Sequence, residues 1–108
     1  MEDNIKKIYD MMYSPIVTPY NLLENAKLNN YSYVKYYKSN DGLIAEMECF
    51  VEDEGNKIFY YHFDANDYLS SIYMEHNGKK QKVFDRENAI EEAKEEYYSK
   101  KSIYENAI

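Results

Sequence analysis

The chain has 108 residues, 20 of them acidic and 13 basic, for a formal net charge of -7. That sign argues against electrostatic affinity for nucleic acid, which needs Lys and Arg to release phosphate counterions, and against an anionic membrane surface. The lone Cys49 excludes an intramolecular disulfide framework, and no apolar run approaches the roughly 18 residues of a membrane span.

The length fits one domain, residues 1–108, large enough to bury a core without covalent staples. The opening Met1-Glu2-Asp3-Asn4 is acidic where a secretory signal is basic and then apolar, so a soluble cytoplasmic protein is the expectation. Negative charge of this size steers encounters with a basic protein partner, and it also simply keeps a small protein in solution.

In chain order, the spacing of Ile5, Ile8, Tyr9 and Met12 predicts a helix ending at Ser14-Pro15. Thr18-Pro19 is a second start signal, a capping residue followed by proline at the first helical position, and predicts a short helix carrying Leu22, Leu23 and Ala26. These elements fill the helical region 3–28. Residues 31–84 then form five short aromatic segments separated by Asp41-Gly42, Glu54-Gly55-Asn56, Ala65-Asn66-Asp67 and Asn77-Gly78, the pattern of an antiparallel meander. Asp85 is a good N-cap for a last helix over 86–101, whose apolar stripe is Ala89, Ile90, Ala93 and Tyr97. The expected fold is α+β: a five-stranded antiparallel meander, one or two N-terminal helices, and a C-terminal helix packed on the sheet.

Turn chemistry gives an expected register. A two-residue Asp41-Gly42 loop pairs Val34 with Cys49 and Tyr36 with Met47 on one face, and Lys35 with Glu48 and Tyr33 with Phe50 on the other. An Asn77-Gly78 loop pairs Ile72 with Val83 and Glu75 with Lys80. Carried through Glu54-Gly55, the alternation puts Val51, Ile58, Cys49 and Tyr60 together, with Met47 and Ile72, under Ile90 and Ala93. It sends Phe50, Phe59, Tyr61 and Phe63 to the opposite face with Tyr33 and Tyr37.

That second face is aromatic rather than polar, interrupted by Lys35, Glu46 and Glu48. Either helices cover both faces or part of the second face is a contact surface, a role that suits tyrosine, whose rigid ring buries area while its hydroxyl stays polar. The candidate partner-binding residues are therefore Tyr33, Tyr37, Glu46, Glu48, Phe50, Phe59, Tyr61 and Phe63, with the acidic turn Glu52, Asp53 and Glu54.

No residues point to catalysis, a cofactor or a metal. His62 and His76 have no Cys or His at ligand spacing, Asp64 and Asp67 lack the 12-residue loop of an EF-hand, and Gly42, Gly55 and Gly78 all fall at turns. Cys49 lies between Glu48 and Phe50, where negative charge and burial both disfavour a thiolate. The composition (small, acidic, tyrosine-rich) is similar to that of phage- or plasmid-borne inhibitors and immunity proteins. The expected function is thus a non-enzymatic protein-binding module, in its concrete form an inhibitor occupying a basic surface of a partner, since Lys and Arg recognise carboxylates as they do phosphates. A small-ligand sheet domain and a structural homodimer are the alternatives.

Overall fold

The computed structural model describes the backbone of residues 2–106 and the side-chain surroundings of residues 5–12 and 14–99. Helix α1 (Glu2–Tyr13) is followed by a 3-10 helix (Pro19–Lys27), strands β1 (Tyr31–Lys38), β2 (Gly42–Val51), β3 (Gly55–Asp64), β4 (Leu69–His76) and β5 (Lys79–Asp85), and helix α2 (Arg86–Asn106). The strands form one open antiparallel sheet in the order β1-β2-β3-β4-β5. This is the expected α+β meander, with the C-terminal helix packing on the sheet.

The helix starts follow local chemistry. The Thr18 hydroxyl accepts from Asn21 N at 3.3 Å while Asn21 Oδ1 accepts from Thr18 N at 2.8 Å, a reciprocal cap around Pro19. Asp85 Oδ1 accepts from Asn88 N at 3.1 Å at the start of α2. The only arginine, Arg86, joins three elements: its Nε donates to Leu69 O of β4 at 2.5 Å, and its Nη1 donates to Met11 O in the last turn of α1.

Three turns decide the register. At Asn77-Gly78, with φ of 53° and 77°, a two-residue primed turn pairs His76 with Lys79 and Glu75 with Lys80, as expected. A bulge between Ile72 and Tyr73 leaves Ile72 opposite Phe84 rather than Val83. The first hairpin closes through four residues rather than two, because Ser39 folds back on the loop: Ser39 N donates to Gly42 O and Gly42 N to Ser39 Oγ, both at 3.0 Å. Val34 therefore pairs with Met47, Tyr36 with Ala45 and Lys35 with Glu46, a two-residue slip that leaves residues 33–38 on their expected faces, while a bulge between Tyr31 and Tyr33 turns Tyr31 to the core.

The second hairpin corrects the expectation more deeply. Val51 pairs with Gly55 across a three-residue turn in which Asp53 (φ 70°) and Gly55 (φ 92°) are both left-handed. An odd change in register turns all of β3 over. Phe59, Tyr61 and Phe63 thus lie with Ala45, Met47 and Cys49, and Ile58 and Tyr60 lie on the other side.

The core sits on the first of these faces, where Ala45, Met47, Phe63 and Leu69 are buried together with Leu22 of the 3-10 helix. Phe59, Tyr61, Ile72, Phe84, Val34 and Tyr36 pack around them. The lid over Met47 is the 3-10 helix rather than α2: Asn25 Nδ2 lies 3.5 Å from Met47 Sδ, and the Tyr36 hydroxyl donates to Pro19 O at 2.9 Å. Helix α2, whose Ala93 is buried, packs chiefly along α1 and meets the sheet at β4 and β5. The molecule measures 56 × 34 × 23 Å.

Candidate functional site: the open face of the sheet

The second face of the sheet carries three rows of side chains that run straight across it. One row is Tyr33, Glu48, Ile58, Glu75 and Lys80; the next is Lys35, Glu46, Tyr60, Tyr73 and Lys82; the third is Tyr37, Ile44, His62, Ser71 and Asp85. Phe50 extends the face at the far end of β2, 53% exposed. No hydrophobic side chain of these rows is buried, although Tyr60 and Ile58 occupy the central strand, where a covering layer would bury them. Strand alternation positions these groups, with the bulge at Val83 bringing Asp85 to the same face as Lys82.

The rows are held together by tyrosine hydroxyls and carboxylates. Glu46 accepts from the Tyr33 hydroxyl at 2.8 Å and from the Tyr37 hydroxyl at 2.9 Å, and its Oε2 lies 3.3 Å from Lys35 Nζ. Its side chain is only 13% exposed. Burial opposes ionisation there, yet the hydrogen bonds from Tyr33, Tyr37 and Lys35 outweigh it and hold the Glu46 carboxyl below its ordinary range. The same contacts act in reverse on the phenols. Burial first, and then the bond to Glu46, push Tyr33 and Tyr37 up to about 12. Tyr60 donates to Glu75 Oε2 at 2.8 Å and is likewise raised, by burial and then by that carboxylate.

The β4–β5 side of the face is cationic and aromatic. Lys80 Nζ lies 3.9 Å from the Tyr60 ring centroid and 5.5 Å from that of Tyr73, and Lys82 Nζ lies 5.5 Å from Tyr73. His62 tilts against Tyr73 with centroids 5.1 Å apart. Burial first, and then the Lys80 and Lys82 charges, push His62 below its ordinary value, so the imidazole is neutral at pH 7.

Of the residues expected at the site, Tyr33, Tyr37, Glu46, Glu48 and Phe50 share the open face. Phe59, Tyr61 and Phe63 do not; they belong to the core face, and Phe63 at 1% exposed has no surface to offer. Glu46 is already compensated by one ammonium and two hydroxyls, so its charge serves the layer itself. Glu52, Asp53 and Glu54 form an exposed turn at the Phe50 end, with Glu54 paired to Lys57 at 2.8 Å. Reading the sequence missed Ile58, Tyr60, His62, Tyr73 and Glu75. The signal for the three on β3 was Gly55 itself, since glycine in the left-handed position after a turn marks a three-residue hairpin.

Elsewhere, a cleft of about 200 Å³ lies between the 3-10 helix and the sheet, lined by Pro19, Tyr20, Leu23, Tyr36, Leu43 and Asp67. It falls below the roughly 300–1,000 Å³ of usual ligand sites. A groove of about 470 Å³ beside Phe84 and α1 reaches that range, but it is a shallow channel between Lys6, Lys7, Asp10 and Met11. Among the described residues no group of three or more His, Cys, Asp or Glu is placed to hold a metal ion, and no helix is long and apolar enough to cross a membrane. No protein-family model, curated protein or solved structure matches this chain.

Proposed function

We propose that this chain is a non-enzymatic protein-binding module that offers the open face of its sheet to a partner, in the manner of an inhibitor that occupies a basic surface. The observation that carries this reading is the preorganised cluster of Tyr33, Tyr37 and Glu46, which spans the three rows: two phenols locked to one carboxylate on a face with no helical cover. Tyrosines fixed in this way lose little side-chain entropy on binding, and they bring apolar area together with a polar tip. The formal charge of -7, with Glu48 on the face and Glu52 and Asp53 at its end, favours a basic partner in orientation and encounter rate.

The test is comparative capture from a lysate of the native host at low and at high salt. The partner retained by the unaltered chain should be lost when Tyr37 and Tyr73 are both changed to Ser, and kept when Tyr20, exposed on the 3-10 helix, is changed to Ser. Retention should weaken with salt. Capture that survives the Tyr37, Tyr73 pair and fails with Tyr20→Ser would move the contact surface to the other side of the molecule.

A further inference from the structure

The ring faces of Tyr60 and Tyr73 have a use beyond filling surface. They are direct cross-strand partners on β3 and β4, so the two rings stand side by side at the middle of the open face. His62 forms a third aromatic wall, 5.1 Å from Tyr73, and stays neutral beside it. Glu75 holds the Tyr60 hydroxyl at 2.8 Å, and Glu46 is the β2 neighbour of Tyr60 in the same row. Aromatic faces rimmed by carboxylates are the chemistry that recognises an organic cation.

A cation is already there, and it belongs to the chain. Lys80 is the direct cross-strand partner of Glu75, the position from which an ion pair is expected. Its ammonium instead sits 3.9 Å from the Tyr60 centroid and 5.5 Å from that of Tyr73. Lys80 lies on an edge strand, two residues beyond the Asn77-Gly78 turn, and is exposed, so only a flexible stem holds it over the rings.

We propose that the Tyr60–Tyr73 pair is a cation-binding cage that receives an arginine side chain of the partner, and that Lys80 fills it in the free protein. This rests on the open face being the docking surface. Arginine fits better than lysine because its planar guanidinium stacks on a ring while its N–H fork still reaches a carboxylate such as Glu75. Lys80 then acts as a tethered competitor: binding requires it to swing out, which lowers the apparent affinity by the fraction of time it stays in place. The device selects partners that present a cation at this point and penalises contacts that displace Lys80 without replacing its charge.

The probe is N-acetyl-arginine amide, titrated into the full chain and followed by the Tyr60 and Tyr73 ring resonances, with N-acetyl-citrulline amide as the uncharged isostere. Lys80→Ala should tighten the arginine probe about two- to five-fold, the worth of one exposed cation–ring contact. Tyr60→Leu should abolish the response, and citrulline should give none. Lys80→Gln, which removes the charge and keeps the first two methylenes of the stem, serves the same purpose should the alanine variant fold poorly. Equal or weaker binding by both Lys80 variants, or equal shifts from citrulline, overturns the cage. If arginine binds as expected while capture of the partner ignores open-face substitutions, the docking reading falls and the cage stands. The converse result removes only the cage.

Discussion

Val51 pairs directly with Gly55 across the β2–β3 turn, and that one pair assigns every β3 side chain to its face. With Asp53 and Gly55 both at positive φ, the turn takes three residues, and Phe59, Tyr61 and Phe63 are turned toward the 3-10 helix. The consequence is measurable as an alternation in stability. Phe63→Ala, at a position 1% exposed, should cost about 3–5 kcal/mol in urea unfolding. Tyr37→Ala, 39% exposed on the opposite face, should cost less than about 1 kcal/mol. Similar losses at the two positions would mean that both faces are core.

Gly42 is required by space. It pairs with Asp64 at the start of β2, and a Cβ there would lie 2.2 Å from Phe63 O and 2.7 Å from Asp64 C, both backbone atoms. Alanine must therefore push β2 away from β3 beside the buried Phe63, and about 1–3 kcal/mol of destabilisation is expected. Gly42→Ala should also raise amide exchange at Leu43 and Phe63, which pair next to it. Unchanged stability would show that the strand ends separate freely.

Cys49 is 4% exposed, and burial raises its thiol above the ordinary value, outweighing the bond with Tyr31 that acts the other way. Few thiolates form near pH 8, and those few are screened by Tyr31 and the strands. Labelling by a water-soluble disulfide reagent should be slow in the native protein and immediate in denaturant. Fast native labelling would place Cys49 outside the core.

The Tyr33–Glu46–Tyr37 cluster fixes the sign of two pH effects. Both phenols are raised to about 12, so the native state holds protons that the unfolded chain loses near 10. Their contribution to stability is complete below pH 10 and is lost as pH rises toward 12. The Glu46 carboxyl is lowered, so its contribution is present above its ordinary value of 4.5 and is lost as pH falls below that. Glu46→Gln should move the late part of the tyrosine ultraviolet titration toward 10, though incompletely, because burial is the larger cause of the shift. A titration curve unaltered by Glu46→Gln would detach the phenols from this carboxylate.

How much of this was legible depends on the turns. Asn77-Gly78 admits one reading, since both residues must take positive φ, and the Glu75–Lys80 pair followed from it. Asp41-Gly42 was misread by two residues, because the closing role of the Ser39 hydroxyl is not a sequence pattern, but an even slip changes no face. Tyr33, Tyr37, Glu46 and Glu48 therefore stayed together. At Glu54-Gly55 the error was odd, and composition gave no way to detect it. Ile58 and Tyr60 are as apolar as Phe59 and Tyr61, so either set suits a core. The role of Arg86 could not be read at all, since its partners lie 17 and 75 residues away in the chain.

That arginine carries the last prediction. Its Nη1 donates to Met11 O at the C-terminal turn of α1, where unpaired carbonyls and the helix dipole favour a cation. Its Nε donates to Leu69 O, the carbonyl of a residue buried in the core, and its guanidinium carbon lies 5.3 Å from the Tyr68 ring centroid. One planar group thus ties the end of α1 to β4 from the first residue of α2, using two directions of its fork. Lysine offers a single point charge and cannot reach both carbonyls in one geometry. Arg86→Lys should therefore cost about 1–3 kcal/mol, the range for a lost hydrogen bond to a charged group. The loss should be local before it is global: amide exchange in α1 should accelerate more than exchange in the β2–β3 pair, to which Arg86 makes no hydrogen bond. Equal acceleration everywhere would show that α1 is not held separately. Unchanged exchange in α1 would show that packing along α2 holds it without the arginine.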